Sequence, residues 1–176
     1  NAHANLVEYL YSPSSLDKEI EKAALELATR VANALEIVGV LAVEMFVTKD
    51  AELLVNEIAP RPHNSGHQTI EGNICSQYDQ HLRAILGLPL GSTKMTKPSV
   101  MVNLLGEEGH QGTAIYKGLE KVLAIEGVYV HLYGKRFTKP FRKMGHITIL
   151  ADSLEQAKKT AIEVKKSIKV ITEPEH

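Results

Sequence analysis

The chain has 176 residues, a formal net charge of −1 and 44 % hydrophobic residues: material for one core, or one plus a small appendage, with no overall basic footprint for nucleic acid. Its single cysteine, Cys75, excludes an internal disulfide and fits a reducing, cytoplasmic setting. No apolar run approaches the roughly 20 residues that span a bilayer, so no membrane role is expected, and no signal peptide is evident.

Asn1, Ala2 and His176 read as tag remnants. Val7, Tyr9 and Tyr11 alternate like the end of a strand whose neighbours lie upstream. Ser14 or Ser15 offers an N-cap for a helix over 16–35, whose stripe Ile20, Ala24, Leu27, Val31 and Leu35 is expected in the core. Two apolar runs follow, 38–47 and 53–58, with one charge each, Glu44 and Glu57. The polar stretch 48–52 between them completes a hairpin signature. Ser76 starts a second helix, with Tyr78, Leu82, Ile85 and Leu86 on one side and Gly87 and Pro89 at its end. His81 on that helix reads as structural or surface. Residues 91–97 look like a linker. A strand is expected over 99–105, a loop over 107–112 and a short helix over 114–125. Two strand-like runs, 128–133 and 147–150, then flank a basic segment. A last helix is expected over 153–171. Its stripe Leu154, Ala157, Ala161, Val164 and Ile168 faces a core, while Lys158, Lys159, Lys165 and Lys166 form a solvated face. The order of elements is α+β: an antiparallel sheet with helices on one face, then a small strand-rich appendage.

A hairpin turn centred between Asp50 and Ala51 puts Glu44 opposite Glu57. Like charges directly opposite are destabilising. Carboxylates on a mostly buried hairpin cost several kcal/mol each unless compensated. A divalent cation removes both objections, and hard oxygen ligands without thiolates favour Mg²⁺ or Mn²⁺ shared with substrate phosphates. The alternative is that one acid pairs with a basic side chain elsewhere.

The segment Asn56-Glu57-Ile58-Ala59-Pro60-Arg61-Pro62-His63-Asn64-Ser65-Gly66-His67 concentrates varied polar chemistry. Pro60 and Pro62 remove two backbone donors and stiffen it. Such a loop suits a charged small molecule. A second concentration of charge lies at Lys135, Arg136, Lys139, Arg142 and Lys143, in a stretch without acids. It suits a phosphate dianion, or else a solvated edge protected against strand pairing.

Glu44, followed after a short interval by Asn56-Glu57 and Arg61, resembles the C-terminal lobe of ATP-grasp enzymes. The twelve-residue string narrows the likeness to the N5-carboxyaminoimidazole ribonucleotide synthase family, and 39–44, Tyr133-Gly134-Lys135 and Arg142-Lys143-Met144-Gly145-His146 fit the same family. The resemblance runs from about residue 24 to 171. It implies the C-terminal portion of an ATP-grasp domain over 1–92, and an α/β appendage of the rudimentary hybrid-motif type over 93–176. It implies an ATP-dependent ligase that carboxylates aminoimidazole ribonucleotide with bicarbonate through carboxyphosphate, as a homodimer. Glu44 and Glu57 would hold Mg²⁺, and Asn56 with Glu57 would lie at the nucleotide. Arg61 would steady the anionic intermediate, and His63, Asn64 and Ser65 would orient substrate. His67 would serve as a general base, or only bond a loop carbonyl. Lys135, Arg142 and Lys143 match the family's motif for the ribonucleotide phosphate. No glycine-rich phosphate loop and no βαβ half is present, so the chain reads as a C-terminal fragment, inactive alone. Competing readings are another ATP-grasp carboxylase or transformylase, or a phosphate-binding module without catalysis.

Overall fold

The computed structural model describes residues 7–173, so the expectation for Asn1, Ala2 and His176 lies outside the described residues. In chain order the elements are β1 (Tyr9–Ser12), α1 (Lys18–Ala34), β2 (Ala42–Val47), β3 (Leu53–Ala59), α2 (Thr69–Gly72), α3 (Gln77–Ile85), β4 (Ser99–Leu105) and β5 (Gly112–Thr113). They continue with β6 (Ile115–Lys117), α4 (Leu119–Leu123), β7 (Val128–Leu132), β8 (Phe137–Thr138), β9 (Lys143–Leu150), α5 (Leu154–Ser167) and β10 (Lys169–Ile171). A 3₁₀ turn spans Asn64–Gly66. The fold is mixed helix and antiparallel sheet, as expected.

Two compact units form. One is Ser14–Met95; among the described residues, the other joins 7–13 to 96–173. This differs from the 1–92 and 93–176 division in two respects: the boundary falls after Met95, and the first strand lies in the C-terminal unit. Strand β1 belongs with the C-terminal unit because it pairs antiparallel with β4, Tyr9 opposite Val102 and Ser12 opposite Ser99. Its observed neighbour, β4, lies downstream in the chain.

The unit containing β1 is built on a four-stranded sheet ordered β1-β4-β9-β7, antiparallel throughout. Alternation explains its inner face: Val100, Val102 and Leu104 on β4 and Ile147 and Ile149 on β9 point the same way. Helix α5 covers them with Ala157, Ala161 and Val164, all fully buried. Its alanines permit close approach to the sheet, and burying each Ile or Val contributes about 1.5–3 kcal/mol. Ser153 caps α5 by accepting from the Gln156 N–H. The helix ends sooner than expected: Ile168 is extended, and Lys169–Ile171 pairs as β10 with β6. That pairing also corrects the helix expected over 114–125. Ile115 and Tyr116, β-formers by shape, take the strand, and only Leu119–Leu123 is helical. The lysine face is not wholly solvated either. The Lys158 ammonium lies 5.1 Å from the centroid of the Tyr11 ring, and that of Lys165 lies 5.1 Å from the Tyr9 ring.

The Ser14–Met95 unit is different in kind. Among its residues only Ala59, Gly72 and Cys75 are buried. Hairpin β2–β3 stands as a two-stranded sheet, and α1 has no buried residue. The stripe Ile20, Ala24, Leu27 and Val31 is therefore half-buried, not core, and Leu35 is exposed. The cap is Asp17, with no side-chain bond to the helix; Ser14 instead donates to Glu21. The apolar side of α3 (Tyr78, Leu82, Ile85) is exposed. The expected linker is partly pinned. The Gln80 amide donates to the Gly91 carbonyl at 2.6 Å and accepts its N–H at 3.0 Å. His81 proves structural, its Nδ1 accepting the Val40 N–H at 3.1 Å.

Two outcomes are expected. In native-state hydrogen exchange, amides of β4 and β9, whose residues are nearly all buried, exchange slowest, and those of β2 and β3 exchange far faster. Equal protection in the two sheets would contradict this account. Gly106 is the second test, since its N–H donates to the Arg142 carbonyl and its carbonyl accepts from the Phe141 N–H. A Cβ there would sit 2.2 Å from the Lys139 carbonyl oxygen. Gly106→Ala is expected to cost about 1–3 kcal/mol in urea unfolding.

Candidate active site

The hairpin delivers the two acids to each other through an irregularity. Near the turn, Val47 faces Leu53, Phe46 faces Leu54 and Met45 faces Val55. The register then shifts by one, and Glu44 faces Glu57. Asn56 is the residue left over, so it forms a β-bulge. The turn explains the shift. Thr48 N–H donates to the Glu52 carbonyl at 2.9 Å, and Ala51 N–H to the Thr48 carbonyl at 3.1 Å. The turn thus centres on Asp50, with Ala51 at a left-handed φ of 61°. Without the bulge Glu44 would face Asn56. The expected pairing of the acids is observed, but the turn half of the assumed register is off by one.

His63 completes the cluster. Its Nδ1 lies 3.6 Å from a Glu44 carboxylate oxygen, and its Nε2 lies 3.9 Å from one of Glu57. One ligand atom from each of the three falls within 4.8 Å of the others. The imidazole is the sheltered member: its side chain is 13 % exposed, against 36 % for Glu44 and 60 % for Glu57. The two carboxylates fit a hard cation such as Mg²⁺, which takes one or two protein carboxylates and keeps the rest of its shell for water and phosphate. The imidazole fits that ion less well. Its Nδ1 is already engaged, 2.9 Å from Ser65 Oγ and accepting the Ser65 N–H.

The loop after the acids is held by groups the sequence reading left out. Gln77, first residue of α3, accepts the His63 N–H at 2.8 Å and donates to the His63 carbonyl at 2.8 Å. Its Nε2 also lies 2.9 Å from His67 Nδ1. Gln77 N–H donates to Thr69 Oγ1, which donates to the Gly66 carbonyl. A Cβ on Gly66 would sit 2.6 Å from Gln77 Oε1, so any larger residue would push the Gln77 amide from its place. Tyr78 approaches His67 Nδ1 with its hydroxyl at 3.1 Å, and the two rings stack at 5.8 Å. Burial pushes the Tyr78 phenol up, so it stays protonated. A polar pair at the start of a helix, ten residues past the loop, was the only signal for this contact.

The other expected residues are placed as follows. Arg61 is exposed, its guanidinium donating to the Pro62 carbonyl at 3.0 Å. Asn64 opens the 3₁₀ turn, and its carbonyl accepts the His67 N–H. In the other unit, the Lys135 ammonium donates to the Lys143 carbonyl at 2.6 Å and lies 5.4 Å from the centroid of the Tyr133 ring. Tyr133 Oη lies 3.1 Å from His146 Nδ1, and the His146 ring stacks on that of His131 at 4.4 Å. Arg142 donates to the Phe137 carbonyl at 2.8 Å. Glu44, Glu57, His63 and Ser65 are thus brought together in one unit, and Lys135 is joined to Lys143 in the other.

Residues 1–78 match the ATP-grasp domain, and residues 99–160 match the phosphoribosylaminoimidazole carboxylase C-terminal domain. The chain is 47 % identical to the N5-carboxyaminoimidazole ribonucleotide synthase of Bacillus subtilis over 148 residues, 84 % of this chain and 37 % of that protein. It spans little more than a third of that relative's length. Its fold is similar to the crystal structure of the Thermotoga maritima synthetase of that name, with a TM-score of 0.91 and 53 % identity, over 94 % of this chain and 46 % of that one. It is also similar to the Aspergillus clavatus synthase in complex with ADP and 5-aminoimidazole ribonucleotide, with a TM-score of 0.82 and 37 % identity, over 93 % of this chain and 45 % of that one. Among the described residues, no helix is long and apolar enough to cross a membrane. The paired acids on a bulged hairpin, the loop behind them and both matched domains place the chain in the N5-carboxyaminoimidazole ribonucleotide synthase family of ATP-grasp proteins.

Proposed function

We propose that this chain supplies one part of an ATP-dependent ligase. The reaction joins bicarbonate to the exocyclic amine of 5-aminoimidazole ribonucleotide. Bicarbonate oxygen attacks the γ-phosphorus of ATP, and ADP leaves, giving carboxyphosphate. The ribonucleotide amine then takes the carboxyl group, losing a proton, and inorganic phosphate is released. The observation that carries the reading is Glu44 facing Glu57 across the bulged ladder with His63 beside both, in a chain 47 % identical to a synthase of that name.

Glu44 and Glu57 would hold Mg²⁺, which when bound offsets phosphate charge during phosphoryl transfer. Asn56 and Glu57 would lie at the nucleotide. Arg61, on a proline-stiffened and exposed segment, is suited to anchor an anionic intermediate. His63, Asn64 and Ser65 would orient substrate by hydrogen bonds. Lys135, Arg142 and Lys143 would bind the 5′-phosphate. A cytoplasmic homodimer is the expected state.

Phosphate release by the natural full-length protein tests the reading, with ATP, Mg²⁺ and bicarbonate, with and without the ribonucleotide. Strong stimulation by the ribonucleotide is expected, and Glu57→Gln is expected to lower kcat/KM about a hundredfold or more. No stimulation of a folded protein would sink the assignment and turn attention to other ATP-grasp acceptors. Lys135→Met is expected to raise KM for the ribonucleotide about tenfold or more, the value of a charged hydrogen bond, and to leave KM for ATP unchanged.

A further inference from the structure

Gln77 settles a question that the family likeness leaves open, namely how His67 can act. The Gln77 side-chain amide meets both backbone groups of His63, at 2.8 Å each. A backbone N–H can only donate and a carbonyl can only accept. The orientation of the amide is therefore forced: Oε1 faces the His63 N–H, and Nε2 faces the His63 carbonyl. Nε2 then carries only hydrogens, and it lies 2.9 Å from His67 Nδ1. Two donors cannot share that contact, so Nδ1 of His67 holds a lone pair. The protonated Tyr78 hydroxyl, at 3.1 Å, is a second donor to the same atom. A neutral His67 ring must carry its hydrogen on Nε2. His63 is constrained alike, because the Ser65 N–H donates to its Nδ1.

We propose that Gln77 is a positioning residue of the site, one that locks His67 as the Nε2–H tautomer and clamps the backbone of His63. His67 then serves as a hydrogen-bond donor through Nε2. It does not serve as a general base: Nε2 already holds a hydrogen, and Nδ1 can take one only by displacing Gln77 and Tyr78. The tight packing of Gly66 on the Gln77 amide keeps loop and helix in one register. The tautomer follows from this geometry alone, whereas the effect on turnover rests on the reaction proposed above.

Long-range proton–nitrogen correlation spectra of this chain, recorded where the His67 ring is neutral, read the tautomer directly. The hydrogen is expected on Nε2. Gln77→Glu puts an acceptor against Nδ1 and is expected to move the hydrogen there. Tyr78→Phe keeps the Gln77 donor and is expected to leave the tautomer unchanged. A hydrogen on Nδ1 in the unaltered chain overturns the proposal, even if Gln77→Glu does not fold. So does a tautomer that follows Tyr78→Phe but not Gln77→Glu. In the full-length protein, Gln77→Glu is expected to lower kcat for ribonucleotide-dependent phosphate release about a hundredfold, the scale of a misplaced site group, with KM for ATP unchanged. An unchanged kcat overturns the positioning role and leaves the reaction standing. Absence of turnover in the unaltered protein removes the reaction, while the spectra still decide the tautomer.

Discussion

Repulsion between two carboxylates is the constraint around which the N-terminal unit is arranged. Glu44 and Glu57 face each other on neighbouring strands, where like charges cost stability. A hairpin selected for stability alone would put the pair elsewhere, and one extra residue would suffice. Here the extra residue, Asn56, does the opposite: its bulge restores the facing pair after the turn has shifted the register. The imidazole of His63 lies between the acids, and Ser65 holds that imidazole from behind. Local structure thus gathers negative charge at one point, the arrangement a divalent cation relieves.

The buried core and the acidic cluster lie in different units. The contiguous core belongs to the C-terminal unit, where the faces of β4 and β9 meet α5. The unit that carries the acids has almost nothing buried, and its apolar residues on α1, α3 and the hairpin are half-buried or exposed. Polar side-chain contacts tie its loops to α3. Gln77 binds the loop behind the acids, and Gln80 binds the segment from Gly91. Each glutamine meets a backbone donor and a backbone acceptor of one residue, as a neighbouring strand would. Loss of either leaves two backbone groups without partners, so these amides matter more than a count of hydrogen bonds implies.

Some features were legible as continuous or periodic apolar patterns. The apolar run Ser99–Leu105 reads as a strand and is buried on both faces, and the helical stripe of α5 describes one buried face. The acids were legible because each is the lone charge in an apolar run. Other features were misread where local pattern is ambiguous. Ile115 and Tyr116 suit a helix or a strand, and only the presence of β10 selects the strand. Ser14 and Ser15 look like caps, yet the helix starts later, at Lys18. Lys158 and Lys165 look like solvated charges, yet their ammonium groups lie over the tyrosine rings of β1.

The sequence by itself determined the composition of the site: two acids in one hairpin, a proline-stiffened loop with His63 and His67, and a basic segment late in the chain. Residue types and short spacings carry that information, because strand and helix periods are local. Tertiary structure decided which groups touch. It paired β1 with β4, placed the bulge at Asn56, and brought Gln77 under His63 and His67. Those outcomes depend on which distant backbone groups need partners once elements pack, and no local period encodes that.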